Sequence, residues 1–133
     1  GRDYRAAAND NIMIIAMIET EEGTAAADEI AQVDGVDLVF VASSDLSSFS
    51  GRRQGDPVYE NLVTRIKTET TNAGKYVGGP SAWMNTRDGY QFFQGPGTSA
   101  LIRAGVRVTL EESDPCRFLP SGTAPVQGED PCP

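Results

Sequence analysis

Two carboxylates in this chain stand where a parallel sheet would let them share one cation. Glu19 directly follows the apolar run Ile12 to Ile18, and Asp45 lies three residues beyond a second run, Val36 to Ala42. Apolar runs of this length, continuous in the first case and broken only by Asp37 in the second, read as strands buried on both faces, as in a parallel sheet. The ends of successive parallel strands lie on one edge, and neighbours are ~4.8 Å apart, so both acids can reach the same ion. Two carboxylates with open positions for water and substrate oxygens suit Mg²⁺, with Mn²⁺ or Co²⁺ as substitutes. The same residues have an ordinary use as well, because acids after strands favour helix N-termini. Spacing alone leaves both readings open.

The elements that must position these acids follow from periodicity and breakers. Gly1 to Asn11 reads as a helix end and a turn, and Glu19 to Gly23 as a polar loop. Thr24 to Val33 reads as a short helix with Ile30 and Val33 facing inward, stopped at Asp34-Gly35. Ser43 to Pro57 reads as a long polar loop, and Val58 to Ala73 as an amphipathic helix on the ladder Val58, Leu62, Ile66. Lys75 to Gly79 is a third strand, Trp83 to Asp88 one or two helical turns, and Tyr90 to Phe93 a fourth strand. A final helix spans Ala100 to Leu110, with Thr98 or Ser99 as its cap. Residues 1–112 thus form an α/β domain of four strand–helix units, and 113–133 a Pro-rich tail, extended or disordered. Half of a (β/α)₈ barrel and a small open doubly wound sheet both fit this order. Either way, two strong helices leave apolar sheet surface uncovered, so the chain is expected to pair with another.

Composition narrows the partners. The formal charge is −8 over 133 residues, which works against nucleic acid and anionic membranes, since both need a basic face. No apolar run is long enough to span a bilayer and no signal peptide is evident, so a cytoplasmic location is expected. The chain opens at Gly1 rather than Met, as a processed product or a fragment does. It has no histidine, and its two cysteines, Cys116 and Cys132, lie in the tail, as a loop-closing disulfide or as free thiols. A zinc site of Cys and His is excluded.

Linked words around the two acids add to this. Met17-Ile18-Glu19-Thr20-Glu21-Glu22-Gly23 is followed by Asp28-Glu29-Ile30-Ala31, then Val33-Asp34-Gly35-Val36-Asp37, then Phe40 to Ser47 with Ser43-Ser44-Asp45-Leu46-Ser47. The series resembles the HpcH/HpaI aldolase family, which includes macrophomate synthase-like enzymes. It covers roughly Tyr4 to Leu110 and corresponds to the C-terminal half of the family's barrel. The resemblance implies that Glu19 and Asp45 are the metal ligands, and that the backbone amides of Ser44 and Asp45 hold the carboxylate of pyruvate. It implies a carbon–carbon lyase that cleaves or forms 2-oxo acids through a pyruvate enolate, with an aldehyde as the second partner. A homo-oligomer, or pairing with an N-terminal half, is implied too. The family's catalytic arginine and acid/base histidine belong to the first four strand–helix units, so no catalytic residue is assigned here.

The sequence also departs from the family. Ala42-Ser43 replaces Gly-Pro, and Met17 stands where many relatives carry a substrate-reaching Gln. A catalytically incomplete fragment or degenerate relative, acting only by association, is therefore the competing reading. A receiver-like sheet with Asp45 as phosphoacceptor is a third, which the linked words do not favour. Arg52-Arg53 is read mainly as a solvated loop, with a second substrate carboxylate as its functional use. Gly95-Pro96-Gly97-Thr98 is read as a turn rather than a phosphate site. Trp83 is expected to pack, as are Leu101, Ile102 and Val106, the last three having an oligomer contact as alternative.

Overall fold

The computed structural model describes residues 4–112. The tail expected at 113–133, with Cys116 and Cys132, lies outside the described residues. The chain divides into two compact units, residues 1–95 and 96–133. The first opens with helix α1 (Tyr4–Ala7) and a 3₁₀ turn (Asn9–Asn11). Strand β1 (Ile15–Ile18) leads to helices α2 (Glu21–Ala25) and α3 (Ala27–Gln32). Strand β2 (Leu38–Val41) is followed by α4 (Ser43–Ser50) and α5 (Pro57–Asn72). Strand β3 (Tyr76–Pro80), a 3₁₀ turn (Ser81–Trp83) and β4 (Phe92–Gln94) complete it. The second unit holds α6 (Thr98–Glu112), whose Leu101, Ile102 and Val106 are exposed.

All four strands are parallel and ordered β1-β2-β3-β4. A sheet that grows in one direction through right-handed crossovers places every connecting helix on the same face. A doubly wound sheet instead reverses its strand order partway. The sequential order is that of a half (β/α)₈ barrel, an α/β fold with one helix-covered face.

That face carries the main core. Val39 and Val41 of β2 pack with Ala27 and Ala31 of α3 and with Tyr59, Val63 and Ile66 of α5, all buried. Trp83 joins them at 2% exposure, as expected of the only tryptophan. The opposite face carries the alternate residues Leu38, Phe40 and Ala42, with Phe92 packed against them. Phe40 and Phe92 meet edge-to-face at 6.3 Å across β3, which Gly78 makes possible. A Cβ on Gly78 would lie 2.9 Å from Phe40 and 3.1 Å from Phe92.

Several expectations are corrected. The run from Ile12 is not a strand buried on both faces. Strand pairing starts at Ile15, and Met17 is 55% exposed because no described residue covers the second face at β1. Asp37, the polar residue of the second run, binds the entry to β1: its Oδ2 accepts from the Ile14 amide at 2.8 Å. Glu19 to Gly23 is not all loop, since Thr20 caps α2 by accepting from the Gly23 amide at 3.0 Å. The helix expected at 24–33 breaks at Ala26 into α2 and α3; its inward face is Ala27 and Ala31 with Ile30 packed beside them as expected, while Val33 is 53% exposed. Along α5 the buried stripe is Tyr59, Val63, Ile66 and Thr70, one position off the expected ladder at its start. The loop expected at 43–57 opens with helix α4, held down by buried Leu46.

Gly79 faces the helix side, where a Cβ would lie 2.6 Å from the rigid Trp83 ring. Gly79→Ala is therefore expected to cost about 1–3 kcal/mol by overpacking. Gly95→Ala, whose Cβ would meet nothing within 4 Å, is the near-neutral control. Urea unfolding of the two variants checks this.

Candidate functional site

The carboxyl edge of the sheet is where the chain's candidate chemistry gathers. Beyond β2 the backbone turns directly into α4. Its first helical hydrogen bond runs from the Leu46 amide to the Ala42 carbonyl at 2.8 Å. The amides of Ser43, Ser44 and Asp45 therefore precede the helical ladder and point out of its N-terminus. Here the site helix differs from its neighbours. Thr20 caps α2, and Asp56 caps α5 by accepting from the Val58 amide at 2.8 Å, but Ala42 gives α4 no side-chain cap. An uncapped N-terminus offers its N–H donors and its positive dipole end to an anion.

These residues border a cleft of about 150 Å³ on the face away from the helices. Ser43, Ser44 and Asp45 form one polar wall, Gln94 the other, and Met17 and Phe40 contribute apolar surface. The cleft opens over the end of β3 at Pro80. Ser44 and Asp45, neighbours in the sequence, both line this cleft. Glu19 is half-buried at the tip of β1, immediately after Ile18, whose carbonyl accepts from the Ala42 amide at 3.1 Å. It is not among the residues lining the cleft itself. Among the described residues there is no cluster of three or more Asp, Glu, His or Cys side chains suited to a metal.

The sequence reading missed the residues that hold the edge in place. Tyr59, fully buried on α5, donates its hydroxyl to the Ser43 carbonyl at 3.0 Å and so pins the first residue of α4. Burial pushes its hydroxyl pKa above the usual tyrosine value, against a smaller opposing effect of Arg87. A tyrosine on an apolar helical stripe was the available signal. The loop after β3 is tied to the first turn of α5 by Arg87, which donates to both Glu60 oxygens, at 2.6 and 3.0 Å. Arg87 also stacks 4.3 Å from the Trp83 ring, and Trp83 donates to Gln54 at 3.4 Å. The Arg87 hydrogen bonds hold the Glu60 carboxyl below its ordinary pKa, with a smaller contribution from the Gly55 amide. Nearby, burial pushes the Tyr90 hydroxyl up to about 12. Arg52 lies 3.9 Å from Asp56 and Arg53 is exposed, consistent with a solvated loop.

A family model described as HpcH/HpaI aldolase/citrate lyase matches residues 2–98. The chain belongs to that family. Among its relatives is a hydroxypyruvate/pyruvate aldolase of Rhizorhabdus wittichii, 30% identical over 122 residues, covering 85% of this chain and 49% of the relative. A 5-keto-4-deoxy-D-glucarate aldolase of Shigella boydii is 35% identical over 78 residues, covering 57% of this chain and 30% of that protein. In structure, the chain resembles a HpcH/HpaI aldolase/citrate lyase family protein from Burkholderia cenocepacia, with a TM-score of 0.67 and 28% identity. That match covers 83% of this chain and 46% of the other. The chain spans about half the length, or less, of these HpcH/HpaI relatives.

Two measurements check the edge. Tyr59→Phe should cost about 1 kcal/mol and raise amide hydrogen exchange in the first turn of α4. Because the Glu60 pKa is lowered on folding, its stabilisation is complete above the ordinary carboxylate pKa and fades as pH falls through the folded value. The stability advantage of the parent chain over Glu60→Gln should therefore be largest near neutral pH and vanish in acid, as followed by urea unfolding across pH.

Proposed function

We propose that this chain supplies the metal- and carboxylate-binding half of a divalent-metal-dependent aldolase that cleaves or forms 2-oxo acids. The observation that carries the reading is the uncapped N-terminus of α4. It sets the Ser44 and Asp45 amides and the Asp45 carboxylate beside a small cleft at the sheet's carboxyl edge, one strand from Glu19. Membership of an aldolase/citrate lyase family, and relatives named for pyruvate and keto-sugar-acid aldol chemistry, support it.

The donor chemistry fits a hard cation. Glu19 and Asp45 offer oxygen ligands only, and a set this small leaves positions for water and substrate, the preference of Mg²⁺, with Mn²⁺ or Co²⁺ able to replace it. A cation held there would offset the negative charge that develops on the ketone oxygen as the neighbouring carbon–carbon bond breaks. The chain's own residues do the rest of the binding. The Ser44 and Asp45 amides take the carboxylate of a pyruvate-like acid, and Met17 and Phe40 shield its methyl side from water. An aldehyde is the second substrate. Completion of the barrel, by an N-terminal half or within a homo-oligomer, would supply the acid/base groups.

A second reading has a specific observation in its favour. The open face at Ile15 and Met17 and the half-length match suit a catalytically incomplete piece that acts by association. The two readings differ in ligand binding. The first expects Mg²⁺-dependent pyruvate binding by calorimetry, abolished in Glu19→Ala with the fold intact by circular dichroism. Pyruvate binding that ignores both Mg²⁺ and Glu19→Ala would contradict it.

A further inference from the structure

Three glutamines lie on or beside the second half of the sheet's connections, Gln54, Gln91 and Gln94, and two are committed to the scaffold. Gln54 accepts from the Trp83 indole at 3.4 Å, and the Gln91 carbonyl accepts from the Val77 amide at 3.1 Å. Gln94 is the exception. It ends β4 and is exposed, and its side chain makes no hydrogen bond to another described residue. It nevertheless faces the cleft opposite Ser44 and Asp45.

Backbone geometry explains how it reaches there. Side chains alternate along a strand, so Gln94 shares the open face with Phe92. Between β2 and β4, strand β3 presents Gly78 opposite Phe92 and Pro80 opposite Gln94. No long side chain from β3 stands between the end of β4 and the start of α4.

The chemistry of the walls then assigns a role. A 2-oxo acid carries a carboxylate and a ketone, which accept hydrogen bonds and donate none. Asp45 repels such an anion unless a cation intervenes. Met17, Phe40 and Pro80 offer no donor. The Ser43 and Ser44 hydroxyls can donate only from the α4 side, and among the lining side chains Gln94 alone carries N–H groups and alone offers a donor from beyond β3. Its amide is uncharged, so it does not pair with Asp45 in an ion pair that would close the site. We propose that Gln94 is a substrate-binding residue, whose Nε2 donates to an oxygen of the 2-oxo acid from the side opposite the α4 amides. The inference rests on the reading that this cleft takes a 2-oxo acid, and it deepens that reading by making the tip of β4 a second contact point.

The test uses the ¹⁵N-labelled full chain with saturating Mg²⁺, titrated with pyruvate and followed by ¹H–¹⁵N correlation spectra. The side-chain amide of Gln94 should shift together with the backbone amides of Ser44 and Asp45, at one common Kd. Gln94→Leu should weaken that Kd about tenfold or more, the worth of a hydrogen bond to a charged group, and leave the urea midpoint unchanged. Gln94→Glu should weaken it further by setting carboxylate against carboxylate. The proposal is overturned if Ser44 and Asp45 shift while the Gln94 side chain does not and Gln94→Leu binds like the parent. Pyruvate that shifts none of these resonances overturns both the cleft assignment and the role of Gln94. Shifts at all three positions that persist in Glu19→Ala uphold Gln94 and contradict only the metal ligation.

Discussion

The sequential order of four parallel strands is the constraint from which the rest follows. Right-handed crossovers in a sheet that only grows one way send every helix to one side. That side is packed dry, with Val39, Val41, Val63, Ile66 and Trp83 in one cluster. The other side receives none of these crossover helices and keeps its own small cluster around Phe40 and Phe92. The cleft exists because of this asymmetry. It lies where the uncovered face meets the carboxyl edge, and every group assigned a role there comes from a strand tip or the first turn that follows one.

The edge is also built for donors rather than for self-satisfaction. Helices α2 and α5 each have one first-turn amide capped by a side chain, Thr20 and Asp56 respectively. Helix α4 begins at Ser43 after an alanine, with three amides unused by its own ladder. Its position is maintained from behind instead. Leu46 is buried in the core and Tyr59 holds the Ser43 carbonyl. The Glu60–Arg87–Trp83–Gln54 chain fixes the segment after β3 to the start of α5 and to the loop before it. Rigid support combined with unsatisfied donors is what an anion site requires, and the two are supplied by different residues.

Much of this was legible in the sequence, for physical reasons that can be named. The apolar runs before Glu19 and Asp45 gave two strands and their shared edge, although only β2 is buried on both faces as such a run implies. Linked words around those acids gave the family. Helix α4 was not legible: Ser43 to Ser50 is rich in serine with one aspartate, weak helix formers that read as a loop until the burial of Leu46 overrides them. Exposure at Met17 and Val33 was not legible either, since periodicity marks apolar faces and does not say which of them finds a cover. Tyr59 and Gln94 escaped because each is a polar residue on a patterned element, and only the fold shows what its polar group faces.

The central claim is that Glu19 and Asp45, at successive strand tips, share one divalent cation with a keto acid. Counting bound Mn²⁺ by electron paramagnetic resonance tests it most directly. The account predicts one saturable site whose spectrum changes when pyruvate is added, and which is lost in Asp45→Asn. A site that survives Asp45→Asn, or a bound-ion spectrum indifferent to pyruvate, would contradict it.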